Sequence, residues 1–232
     1  MKISVFFVCC FSSLIGFSQI QGDGGELISS NNPIVLGEIT PIFFNSPNIK
    51  QLRAEDASED EKGSKPWRFG YNHETNLNLL NSGNWFTLPD GAKLWVLKIT
   101  SDKAQTINLT FNNTRIPSGN ELYVYNPDKS FILGKFTQKH IYDGQLGTEL
   151  IPGETVILEY YVPANNSSNV GSLNIEKVTH GYRLVDEFVE KAFGQAGSCH
   201  MNVNCTDGVP FSDQKRSVIM LVSGSNGFCS GA

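Results

Sequence analysis

The chain has 232 residues, with 18 Lys and Arg against 23 Asp and Glu for a formal charge of −5. That acidic balance, with no basic stripe along it, sets aside nucleic acid as a partner. The length exceeds one average domain and suits one or two, and past the N-terminal segment no run comes near the roughly 20 apolar residues of a membrane span.

Residues 1–18 read as a secretory signal peptide. Lys2 supplies the positive start, Ile3 to Phe17 an apolar stretch interrupted by Ser12, Ser13 and Gly16, and Gly16-Phe17-Ser18 a small-x-small cleavage site. Cleavage is expected between Ser18 and Gln19, and Gln19 rather than a cysteine at the first mature position sets aside a lipid-anchored form. The mature protein is thus expected to be secreted, periplasmic or extracellular, with no membrane partner once the signal is removed. Cys9 and Cys10 leave with the signal. Cys199, Cys205 and Cys229 remain, an odd number in a compartment where thiols normally pair, so at least one partner is expected beyond this chain.

Residues 19–66 read as a mobile, acidic leader. They carry Gly-Asp-Gly-Gly, Ser-Ser-Asn-Asn-Pro and the tract Glu55 to Glu61, with Ile34 to Leu36 and Ile42 to Phe44 as apolar islands. The acidic tract lacks the glycine-turn spacing of a calcium loop and reads as a charged linker.

From residue 67 to residue 183 the texture changes to short alternating runs between turn residues. Asn84 to Leu88 is followed by Asp90-Gly91, and Ala92 to Ile99 puts Leu94, Val96 and Lys98 on one face with Trp95, Leu97 and Ile99 on the other. Thr106 to Phe111 groups Ile107, Leu109 and Phe111; Leu122 to Tyr125 and Phe131 to Phe136 read as partners; Thr155 to Val162 and Leu173 to His180 close the region. Period two means strands, and seven or eight of them without an intervening helix predict a mostly β, antiparallel, jelly-roll-like sandwich.

Residues 184–198 read as a short helix and a linker. Leu184, Val185, Phe188, Val189, Ala192 and Phe193 recur at helical spacing, and Gly194 follows as a stop. Residues 199–232 end in a predicted hairpin in which Asn226-Gly227 is the turn between Val218–Val222 and a strand starting at Phe228. Standing alone, that hairpin exposes Ile219, Leu221 and Phe228, and a two-stranded unit is marginal in water.

None of His73, His140, His180 and His200 forms a metal-binding pair, and the mature cysteines give no zinc spacing with them, so neither metal nor cofactor is expected. His180 is expected to be half-buried and bonded to backbone, and His73 and His140 to lie in polar turns. The Asn-x-Ser/Thr matches at Asn108, Asn112, Asn166 and Asn204 read as turn and strand composition. Trp85, Trp95, Tyr123, Tyr125, Tyr160 and Tyr161 offer a sugar platform or, as strand aromatics more often do, a core.

One pattern spans most of the mature chain. Pro66-Trp67-Arg68-Phe69-Gly70, Asn81-Ser82-Gly83-Asn84-Trp85, Leu88-Pro89-Asp90-Gly91, Glu121 to Asn126 and His180-Gly181-Tyr182-Arg183 are followed by Gly197-Ser198-Cys199, Asn204-Cys205, Ser217 to Ser223 and Asn226 to Ala232. In this order they resemble the pro-region and mature N-terminus of secreted trypsin-fold serine peptidases of the bacterial lysyl endopeptidase family. The resemblance implies a precursor cut short within the first hairpin of its catalytic barrel. That family takes its histidine from a Thr-Ala-x-His-Cys segment and its serine from Gly-Asp-Ser-Gly-Gly, and neither occurs here. No catalytic residue is therefore expected in this chain, and as it stands it is not expected to be an enzyme.

The resemblance further implies a pro-region that partners its own peptidase domain and assists its folding or delays its activity, polypeptide substrates for the complete parent, and pairing of Cys199, Cys205 and Cys229 with cysteines farther along. Activation is expected either between Lys191 and Ala192 or within Gln195 to Ser198. The rival expectation is a secreted sandwich that binds glycan or protein.

Overall fold

The computed structural model describes residues 25–31, 39–62, 66–184 and 219–231. The predicted signal peptide and nearly all of the predicted 184–198 helix and linker lie outside them. In chain order the elements are α1 (Ile28–Asn31), β1 (Ile42–Phe44), α2 (Ile49–Lys62), β2 (Trp67–Arg68), β3 (Gly70–Asn78), β4 (Asn84–Thr87), β5 (Lys93–Ser101), β6 (Thr106–Arg115) and β7 (Glu121–Tyr125). Then come β8 (Ile132–Phe136), β9 (Leu146–Gly147), β10 (Ile151–Pro152), β11 (Thr155–Val162), β12 (Ser172–Gly181), β13 (Ile219–Ser223) and β14 (Asn226–Gly231).

Two sheets pack face to face, as the alternating runs predict. The first has the order β1-β5-β11-β7-β8, with β4 also on β5; the second runs β10-β6-β12-β3, with β9 also on β6. Each sheet completes one edge with two short strands. β4 covers Lys93 to Val96 and β1 covers Ile99 to Ser101 on β5, while β10 covers Thr106–Ile107 and β9 covers Thr110–Phe111 on β6. The β1–β5 pair is parallel, an exception to the otherwise antiparallel sandwich.

The core follows from the period of two. Trp95, Leu97 and Ile99 of β5 and Leu158 and Tyr160 of β11 face Ile107, Leu109 and Phe111 of β6 and Ile175 and Val178 of β12 in one continuous buried cluster. Its polar atoms find partners, as burial demands. Trp95 Nε1 donates to the Ser82 carbonyl at 2.8 Å, and the Tyr160 hydroxyl donates to the Val170 carbonyl at 2.7 Å and accepts from Asn120 Nδ2 at 3.0 Å. Burial pushes the Tyr160 phenol up to about 12.

The 19–66 leader expectation needs correction wherever these residues are described. Leu94, Val96, Tyr125 and Ile157, on the outer face of the first sheet, form a second buried cluster with Leu27 and Ile39. Beneath α1 the fully buried Glu159 accepts hydrogen bonds from the Ser29 amide at 3.1 Å, from the Ser29 hydroxyl and from the Tyr125 hydroxyl. The acidic tract itself lies in α2 rather than in a mobile linker. Its Ala, Glu, Lys, Gln, Leu and Arg content suits a helix, and its carboxylates meet arginines that are distant in sequence.

The C-terminal hairpin turns two residues earlier than expected, at Gly224-Ser225, with Ser223 opposite Asn226. Gly224 sits at φ +55°, the positive φ that primed two-residue turns need at their first central position. Asn226 and Gly227 instead belong to β14, which pairs with β2. The hairpin does not stand alone.

Replacing Ser29 by Ala removes the hydroxyl, one of the three donors to a buried carboxylate, and leaves the backbone amide in place. The expected cost is roughly 1–3 kcal/mol, a fall of about 2–10 °C in Tm for a domain of this size. Thermal denaturation of the variant beside the parent chain checks it.

Candidate functional site

The described residues bring α2, the last strand of the sandwich and the C-terminal hairpin together at one end of the second sheet. There Gly70 of β3 lies opposite Gly181 of β12, which in turn lies opposite Thr106 of β6. A Cβ on Gly181 would come within 2.1 Å of Thr106 Oγ1, and one on Gly70 within 2.7 Å of Thr179 Cγ2. Two glycines are what let three strands converge here.

Beyond Gly181 the chain continues into Tyr182 and Arg183, and Arg183 is only 3% exposed. Its guanidinium donates to Asp60 Oδ2 at 2.8 Å and to the Arg68 carbonyl at 3.1 Å, stands 3.4 Å from Asp56 Oδ2, and stacks 4.9 Å from the Trp67 ring centre. Asp56, buried in α2, accepts from Arg68 Nε at 2.8 Å and from the Tyr182 hydroxyl at 2.7 Å. Arg53 donates to the Tyr182 carbonyl at 2.8 Å. Burial, and then the bond to Asp56, push the Tyr182 phenol well above its ordinary range. A buried arginine must have its donors met, and here α2 and β2 meet them. The network thereby fixes β2 in place.

β2 and the start of β3 hold the hairpin through backbone groups. Gly227 lies opposite Trp67 and Asn226 opposite Arg68. The Ser225 carbonyl accepts from the Phe69 amide at 2.9 Å and the Gly70 amide at 3.3 Å, and Asn108 Nδ2 reaches the Gly224 carbonyl at 3.5 Å. Ser225 is 7% exposed. This is strand addition, a recognition mode that reads backbone more than side chain.

Behind this edge, His180 is fully buried, and its Nδ1 meets Ser101 Oγ at 2.8 Å, so its partner is a side chain rather than the expected backbone. His73, expected in a polar turn, lies in β3 between Phe44 and Tyr71, its ring centre 6.3 Å from that of His180. The Nε2 atoms of both histidines are buried without a hydrogen-bond partner. Burial, reinforced by His73, lowers His180 to about 4, and burial lowers His73. Ser101 and His180 are both fully buried, so a substrate cannot reach this Ser-His contact. His140 caps its own turn, accepting from the Thr137 amide at 2.9 Å.

Among the described residues no group of three or more His, Cys, Asp or Glu could hold a metal, and no helix is long and apolar enough to cross a membrane. Of the six aromatics weighed as a sugar platform, Trp95, Tyr123, Tyr125 and Tyr160 are buried, whereas Trp85 is 39% exposed. Ser18, Gln19, Lys191, Ala192, Cys199 and Cys205 lie outside the described residues. The backbone of Cys229 lies opposite Leu221 in the hairpin. Asp56, Asp60 and Ser225 carried no functional expectation, although the sequence pattern did contain Arg68 and Arg183.

The family model of the lysyl endopeptidase N-terminal domain matches residues 42–182. The match runs from the first residue of β1 to the tyrosine that bonds Asp56. No solved structure matches the chain.

Arg183→Met removes the buried guanidinium that Asp60 and Asp56 share, leaving Asp56 its contact with Arg68, and is expected to cost about 3–5 kcal/mol, read as a lower urea midpoint at an unchanged slope. A second expectation concerns pH. His180 is lower in the folded state than its ordinary 6.5, so the unfolded chain binds a proton first. Its contribution is intact above pH 6.5 and is lost as pH falls towards 4, by about 3 kcal/mol in all. Urea titrations across that window should show a steeper loss for the parent chain than for His180→Gln.

Proposed function

We propose that this chain, which belongs to the lysyl endopeptidase N-terminal domain family, is the non-catalytic part of a secreted serine endopeptidase precursor, and that its sandwich is a template for the first hairpin of the peptidase domain. The pairing of β14 with β2 carries this reading. A lone two-stranded hairpin is marginal in water, and here it gains a third strand before the rest of a barrel exists.

In this reading the sandwich takes no part in peptide hydrolysis. A Ser-His-Asp mechanism needs a reachable nucleophile, a base and an acid that orients the base, and these come from the peptidase domain of the complete parent, as do the cysteines that pair with Cys199, Cys205 and Cys229. The partner of the pro-region is that domain, whose own substrates are polypeptides. Signal removal between Ser18 and Gln19 accompanies export, and activation cuts between Lys191 and Ala192. That cut breaks the covalent link and leaves the β2–β14 pairing, so the pro-region stays bound after cleavage until it is displaced or degraded.

Refolding the denatured peptidase domain of the complete parent, with and without the pro-region supplied as a separate chain, tests the proposal. Recovered amidase activity should rise several-fold with the pro-region. A peptidase domain carrying Gly224→Val should gain far less, because a Cβ there meets Asn72 Nδ2 at 3.1 Å and strains the turn at φ +55°. Equal recovery with and without the pro-region contradicts the template role. In the intact precursor, Lys191→Gln should block the appearance of a mature enzyme beginning at Ala192; an unchanged N-terminus and rate overturn that cleavage site.

A further inference from the structure

A groove of about 650 Å³ opens at the other end of the second sheet. Its wall includes Asn78 of β3 and Asn174 of β12, which lie opposite one another, whereas the hairpin docks near the Gly70–Gly181 pair. At roughly 3.3 Å per residue, the length of β3 separates the two places by about 25 Å, so a ligand in the groove leaves the hairpin undisturbed.

Trp85 forms one wall. Its Nε1 donates to the Leu79 carbonyl at 3.1 Å, which fixes the indole while 39% of the residue stays exposed. Trp67 and Trp95, the other two tryptophans, are 8% and 0% exposed. Leu80, 98% exposed, extends the apolar wall. The lining also includes the exposed Asn76, Asn113 and Thr87. Lys93 is the charged residue of the lining, which holds no carboxylate, although the chain as a whole carries −5. An aromatic face with its polar edge already satisfied stacks on the apolar face of a pyranose ring, neutral amides match pairs of sugar hydroxyls, and a cation in a lining that holds no carboxylate favours an anionic group.

We propose that this groove binds an acidic oligosaccharide, one ring stacking on Trp85 while a carboxylate of the same chain reaches Lys93. The site would tether the precursor, or the pro-region after cleavage, to uronate-bearing polymer outside the cell. It does not depend on the template role.

The probe is penta-galacturonate titrated into the full chain by calorimetry, with chitopentaose and pentaglutamate as comparison ligands. Saturable binding of penta-galacturonate is expected, at least tenfold tighter than either comparison ligand and accompanied by a change in tryptophan fluorescence. Trp85→Ala should weaken it at least tenfold, Trp85→Phe less because a stacking ring remains, and Lys93→Gln at least fivefold, with each variant's thermal midpoint recorded to verify folding. Absence of binding, binding that survives Trp85→Ala, equal or tighter binding of chitopentaose, or equal binding of pentaglutamate each overturns the proposal, the last by showing an acidic-peptide site instead.

Discussion

The buried guanidinium of Arg183 is the constraint on which the rest of this arrangement depends. An arginine at 3% exposure is tolerated only when its donors are met, and the partners lie on two separate elements: Asp60 and Asp56 on α2 and the Arg68 carbonyl on β2. Asp56 in turn ties Arg68 and Tyr182 into the same network. The helix contributes little apolar surface of its own. It is held by charge and hydrogen bonding, and through it the two-residue strand β2 acquires a fixed position. A strand so short has little stability in isolation, yet it presents the edge on which β14 adds.

The consequence for function is a division of labour within one chain. The two sheets supply a rigid body whose inward faces are apolar and whose outer face is covered by Leu27 and Ile39. The polar network at one end fixes backbone donors at Phe69 and Gly70 aimed at the Ser225 carbonyl. The recognition of the hairpin is mainly between backbones. The Ser101–His180 contact has the residue types of catalytic chemistry, but it is sealed within the sandwich. It contributes packing and a dependence of stability on pH, and no open site.

Much of the sandwich was legible in the sequence because its central strands alternate cleanly. β11 coincides with the predicted Thr155–Val162 run, and β5 buries the two faces that Leu94/Val96 and Trp95/Leu97/Ile99 announce. β3 was not legible: it is a nine-residue edge strand reading Gly-Tyr-Asn-His-Glu-Thr-Asn-Leu-Asn, half exposed and mostly polar, so period two has little to mark. α2 was missed for a related reason. Its stabilising partners, Arg68 and Arg183, lie 12 and 123 to 127 positions away, and no local pattern of apolar residues reports them. The turn dipeptide Asn226-Gly227 gave the right element with the wrong apex, since tertiary pairing with Trp67–Arg68 draws it into a strand and leaves the bend to Gly224. The docking edge was visible as a family pattern around Trp67 to Gly70 and His180 to Arg183, but its geometry required the two ends of the chain to be seen side by side.

The central claim is that the sandwich holds the C-terminal hairpin through the backbone at residues 67 to 70. Amide hydrogen exchange tests it most directly, comparing the full chain with one that ends after Leu184. The account predicts that the Phe69 amide, which donates to the Ser225 carbonyl at 2.9 Å, exchanges at least tenfold faster in the shorter chain, while amides of β5 and β11 at the sheet centre keep their protection. Unchanged protection at Phe69 with an intact core would contradict the docking, and with it the template role.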